Sequence, residues 1–111
     1  MAAGTYNFVL DQGATFTRQL TVKDDGSVMN LTGYSVASKM RSTHDSSTVV
    51  GTFTCTISNA SGGVITMNMT ANTTSAIEEG IYVYDIEITS SAGTVTRLME
   101  GNVTVNPEVT R

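Results

Sequence analysis

Tryptophan is absent from this 111-residue chain, and cysteine, proline and histidine occur once each. A single cysteine, Cys55, excludes an internal disulfide, so the fold must stand on its apolar core alone. Charge is also scarce, at 14% of residues against the quarter that is usual, and the six Lys and Arg are scattered through a chain of net charge −4. Phosphate binding needs clustered cations, so nucleic acid is not expected as a partner. No stretch approaches the roughly 18 consecutive apolar residues that cross a bilayer, and Met1-Ala2-Ala3-Gly4-Thr5 has neither the basic start nor the apolar run of a signal peptide. The expectation is a chain made in the cytosol, with no membrane partner.

What fills the sequence instead is Thr, Ser, Asn and Gly around short alternating apolar segments. Thr and the other β-branched residues suit the half-covered face of a sheet, and Ser, Asn and Gly suit turns, so the composition predicts an all-β chain. The length fits one domain. The clearest segment is Gly80 to Thr89, in which Tyr82, Tyr84, Ile86 and Ile88 alternate with Ile81, Val83, Asp85, Glu87 and Thr89. Other strands are expected at Tyr6 to Leu10, Ala14 to Lys23, Val28 to Leu31, Tyr34 to Arg41, Thr52 to Ser58, Ile65 to Met69 and Thr94 to Val105. In the second of these Arg18 interrupts a face otherwise made by Phe16, Leu20 and Val22. Regular short strands with turn signals between them predict an antiparallel β-sandwich of about seven to eight strands.

Punctuation follows the same logic. Asp24-Asp25-Gly26-Ser27, Asn59-Ala60-Ser61-Gly62-Gly63 and Ser90-Ser91-Ala92-Gly93 read as reverse turns. Thr73 to Glu79 is the one candidate for a helical turn, capped by Thr73 or Thr74. Gly101 falls where the alternation slips, which predicts a bulge. Pro107 cannot donate to a ladder, so residues 1–106 are expected to form the domain and 107–111 an extended tail.

Chemistry-bearing residues are few, and each has a simpler structural reading. His44 sits beside Asp45 in the polar loop Ser42 to Ser47 and is expected to be a solvated side chain, with nothing to orient it as a base. Cys55 alternates with Phe53 and Ile57 and reads as a small core hydrophobe. Asp24-Asp25-Gly26 lacks the spaced oxygens of a calcium loop, and the adjacent Glu78 and Glu79 do not aim two carboxylates at one bond. The sequence therefore predicts no catalytic residue, no cofactor and no metal. Acceptor patterns for N-glycosylation at Asn30, Asn59, Asn68, Asn72 and Asn102 are what so Asn- and Thr-rich a chain generates by chance. Lys39, Arg41, Asp85, Glu87 and Arg97 all fall on outward positions, and would form a mixed-charge face if their strands are neighbours.

Gly80-Ile81-Tyr82-Val83-Tyr84 resembles the turn into the sixth strand of immunoglobulin-like domains, where a tyrosine hydroxyl bonds back to nearby backbone. Tyr82 is the candidate for that corner; the alternative is that both tyrosines are core aromatics with hydroxyls at the rim. Phe8-Val9-Leu10-Asp11-Gln12-Gly13-Ala14-Thr15-Phe16, then Asp24 to Tyr34, Gly80 to Asp85 and Glu100-Gly101-Asn102-Val103-Thr104-Val105, are similar in order and spacing to small β-sandwich structural proteins of tailed phages, including the N-terminal domain of baseplate upper proteins. The resemblance spans nearly the whole chain. It implies a non-enzymatic virion component, in the tail, baseplate or neck, docking in many copies onto other virion proteins and onto copies of itself. Capsid decoration and a carbohydrate-binding or adhesin-like module are the alternatives, and an enzyme is not expected. On this reading the contacts would be made by Ala2, Gly4 and Tyr6 in the first segment and by Pro107, Val109 and Arg111 in the tail, through strand addition.

Overall fold

The alternating segments become strands, and the Gly- and Asn-rich stretches become the turns between them. A computed structural model describes residues 4–24 and 26–109, with Asp24 by its backbone only. In chain order the elements are β1 (Gly4–Thr5), β2 (Phe8–Asp11), β3 (Phe16–Thr21), β4 (Lys23–Asp24), β5 (Ser27–Val28), β6 (Ser35–Arg41), β7 (Gly51–Asn59), β8 (Val64–Met69), α1 (Ala71–Ser75), β9 (Gly80–Thr89) and β10 (Val95–Asn106). β1, β4 and β5 are two-residue pieces, which leaves seven strands of four residues or more.

One mixed sheet runs β1-β10-β9-β6-β7-β8-β3, with β2 also on β10, and β4 pairs with β5 as a separate hairpin. β7 turns the sheet on itself. Its first residues, Gly51 to Phe53, pair with β6, and the rest, Thr54 to Asn59, pair with β8. The sheet is not antiparallel throughout, as the sequence pattern suggested: β1 and β2 lie parallel to β10. The reason is connectivity. Alternation specifies which side chains face the core but not strand direction, and no hairpin joins the two ends of the chain to impose the antiparallel sense.

The curl brings the inward side chains of opposite ends into contact. The rings of Phe8 and Phe16, on β2 and β3, lie 5.5 Å apart, and both meet Phe53 of β7, at 6.3 and 5.6 Å. Tyr84 of β9 closes the cluster 4.8 Å from Phe8. Ile65, Met67, Ile86, Ile88 and Val103 are buried around it, each removing from water a side chain whose burial contributes about 1.5–3 kcal/mol. Leu31 joins this core from a turn, held by its amide on the Ala60 carbonyl, and not from a strand, because β5 ends at Val28.

Arg18, which broke the inward face of β3, is explained by its neighbours. Its guanidinium lies over the rings of Tyr6, Phe8 and Phe16 at 5.4 to 6.0 Å and donates to the Tyr6 hydroxyl at 2.6 Å. An arginine stacked in this way caps the exposed end of an aromatic cluster while its charge stays hydrated.

Three local expectations need correction. The register is unbroken at Gly101, which pairs with Tyr84, and the slip lies between Arg97 and Met99. Gly101 is required for a different reason: a β-carbon there would land on the Tyr6 carbonyl oxygen, where the chain crosses between β1 and β2. The cap of α1 is Thr70, whose hydroxyl accepts from the Thr73 amide at 3.3 Å; neither Thr73 nor Thr74 caps it. Thr74 is buried within the helix instead, donating to the Ala14 carbonyl at 2.9 Å. The helix ends at Ser75, so Glu78 and Glu79 lie beyond it and not within a helical turn running to Glu79.

Candidate functional site

β6, β9 and β10 are adjacent, so the outward charges of the sequence come together. Lys39 lies opposite Asp85, Asp85 opposite Glu100, and Arg97 opposite Glu87. Arg97 bridges two of these carboxylates, with Nε 3.3 Å from Asp85 Oδ2 and Nη1 3.3 Å from Glu100 Oε2. Each pair is well hydrated and contributes only a few tenths of a kcal/mol, so the cluster organises a surface more than it stabilises the fold. A shallow groove of about 360 Å³ runs over it, lined by Lys39, Arg41, Asp85, Glu87 and Arg97, with His44 from the following loop. His44 is exposed there.

Along β9 the same face becomes apolar. Ile81 is 69% exposed and sits level with Thr104 of β10, which in turn pairs with Val9 of β2, 55% exposed. Val83 separates this row from Asp85 and lies opposite Arg41. The face thus carries a strip of exposed aliphatics bordered by charges of both signs. Alternation revealed both halves in the sequence. That they meet on one face depended on which strands became neighbours.

The two central tyrosines use their hydroxyls on backbone. Tyr82 donates to the Glu78 carbonyl, four residues upstream, at 2.7 Å. Burial, then the nearby Glu78 carboxylate, raises its ionisation above the ordinary phenol value. Tyr84 donates to the Tyr6 carbonyl at 2.6 Å.

The candidate contact residues do not form one patch. Gly4 lies beside Met99 on β10, whereas Asp11 and the start of the tail lie beside Asn106, at the other end of that strand. Tyr6 is 41% exposed under the Arg18 guanidinium. Pro107 is exposed, and Glu108 is tied down: its amide donates to Gln12 Oε1 at 3.0 Å, and its carboxylate occupies the space a side chain on Gly13 would need. Val109 then projects, 93% exposed. Ala2 and Arg111 lie outside the described residues.

Cys55 is half-buried beside the Phe53 carbonyl, and burial pushes its thiol up to about 11, away from the thiolate that a nucleophile needs. The Asp24-Asp25-Gly26 turn lies at the β4–β5 hairpin, Asp25 being outside the described residues. Among the described residues no group of three or more His, Cys, Asp and Glu is gathered as a metal site would require.

No protein-family model matches the chain, and no curated protein does. Among solved structures, an internalin-like protein of Listeria monocytogenes is similar over 94% of this chain, with 17% identity and a TM-score of 0.49. The chain spans 28% of the length of that protein.

Proposed function

We propose that this chain is a non-enzymatic structural module of a tailed-phage virion, an immunoglobulin-like β-sandwich docking in several copies onto other virion proteins in the tail, baseplate or neck. The observation that carries the docking reading is the outer face across β2, β10 and β9, where exposed Ile81 and Val9 are separated by Val83 alone from the Lys39–Asp85–Arg97 charge cluster. Such a face gives weak contacts singly and strong attachment when repeated by symmetry. Support for the sandwich comes from the way β7 hands over from β6 to β8, folding the sheet around the aromatic cluster. Support for the immunoglobulin-like reading comes from the Tyr82 hydroxyl bond to Glu78. The phage placement rests on the order and spacing of the sequence segments.

Quantitative mass spectrometry of purified particles tests it. The chain is expected at a constant copy number, on the order of tens for tail, baseplate or neck and on the order of hundreds for a shell protein. An Ile81→Glu variant, altering the outer face and leaving the core intact, is expected to be incorporated poorly. Particles without the chain would overturn the virion assignment, and normal incorporation of Ile81→Glu would overturn the use of this face.

A further inference from the structure

Asn106 ends β10 with its backbone still held: its carbonyl accepts from the Gln12 amide at 3.0 Å, and its side chain donates to Asp11 Oδ1 at 3.2 Å. Beyond it the described tail has no apolar anchor. Pro107 is exposed and has no amide to donate, and Val109 is 93% exposed. Between them the Glu108 amide donates to Gln12 Oε1 at 3.0 Å, and the Glu108 carboxylate lies over Gly13, whose lack of a β-carbon leaves it room. The other end of the same Gln12 amide group, Nε2, donates to the Ile77 carbonyl at 2.7 Å. One planar group thus joins the tail to the turn between α1 and β9. Its orientation is forced, because turning it over would set N–H against N–H at Glu108 and oxygen against oxygen at Ile77. Ile77 is the buried residue of that turn, its own amide closes on the Thr74 carbonyl at 3.2 Å, and its Cδ1 packs over Gly51 of β7.

We infer that residues 107–109 form a releasable strap and that Gln12 is its clasp, coupling the strap to the α1–β9 turn. In the docked state the Gln12 side chain is held at both ends, by Glu108 and by Ile77. In the released state the tail swings free from Asn106, and Gln12 keeps one partner only. A hydrogen bond of this kind contributes about fivefold to an equilibrium, so the docked state prevails while the strap stays free to open. Release reaches Ile77 through the torsions of Gln12: a side chain no longer fixed at Oε1 regains rotamer freedom, and its bond from Nε2 must then be made against that entropy. Coupling of this sort is reciprocal, so opening the α1–β9 turn weakens strap docking by the same factor. The strap acts within the isolated chain and stands independently of any virion role.

Heteronuclear NOE and amide hydrogen exchange, measured by NMR on the full chain, test the clasp. Glu108→Pro removes the donor to Gln12 at a position beyond the last strand, so the variant is expected to fold. The NOE of Val109 is expected to drop toward that of an unfolded chain, and exchange at the Ile77 amide to rise about threefold, the rotamer freedom that Gln12 regains. Glu108→Gln keeps the amide and is expected to leave both readouts as in the parent. Gln12→Leu removes both bonds, and is expected to match Glu108→Pro at Val109 and exceed it at Ile77. Unchanged exchange at Ile77 in Glu108→Pro, with Val109 released, would overturn the coupling. A Val109 as mobile in the parent as in Glu108→Pro would overturn the docked strap. Glu108→Gln as disruptive as Glu108→Pro would assign the hold to the carboxylate and overturn the role of Gln12.

Discussion

The Tyr84 hydroxyl donates to the backbone carbonyl of Tyr6, 78 positions earlier in the chain, at 2.6 Å. This bond joins the middle of β9 to the crossing between β1 and β2, the part of the N-terminal segment with no ladder of its own. Tyr84→Phe keeps the buried ring and removes the donor. It is expected to cost about 1 kcal/mol in urea unfolding and to raise amide exchange in residues 4–8 more than in β8.

Gly101 guards the same crossing from the other side. With a methyl group at Gly101, the Tyr6 carbonyl must move, taking with it the Tyr6 amide bond to Glu100 and the Asn7 side-chain bond to the Asn102 amide. Gly101→Ala is expected to destabilise the chain by about 1–3 kcal/mol, as overpacking does. A thermal melt unchanged from the parent would refute this account.

Arg18 offers a test of shape against charge. Arg18→Lys retains the positive charge but loses the planar group lying over three rings and the directed bond to the Tyr6 hydroxyl. The expected loss is about 1 kcal/mol, measured by chemical denaturation, with a smaller further loss for Arg18→Met if stacking and not charge is the main contribution.

Alkaline pH should expose the buried thiol and phenol. Burial holds the Cys55 thiol protonated from its ordinary value of 9.0 up to about 11 in the folded chain, while the unfolded chain ionises it from 9.0 onward. The sign follows directly: this contribution to stability is complete below pH 9.0 and is lost as pH rises toward 11. Tyr84, raised chiefly by burial, adds to the decline above pH 10.0. The melting temperature is expected to fall over this range, and Cys55→Ala should flatten the lower part of the fall. At pH 8 the native thiol should react with a disulfide reagent far more slowly than free cysteine.

The mixed-charge face shows how much of the candidate site is legible in residues alone. Lys39, Arg41, Asp85, Glu87 and Arg97 were legible as outward positions because a strand's side chains alternate with period two. Their assembly into one cluster needed the order β6-β9-β10, which alternation does not encode. Arg18 interrupts an apolar face of β3, and only the seating of β2 across from β3 supplies its partners. Its partners, Tyr6 and Phe8, are close in space only because the sheet curls. The cavity between Gly4 and Leu20 is not legible in the sequence for the same reason, being bounded by strands from both ends of that sheet.

The chain by itself determined that it is mostly strand, where its turns fall and which side chains each strand buries, because these follow from period, β-branching and glycine placement within a few residues of each other. Tertiary structure alone decided the parallel seating of β1 and β2 on β10, the division of β7 between two neighbours and the opening left beside Gly4. Those features depend on contacts between residues far apart in sequence, whose free energy is realised only when the whole sheet closes around its core.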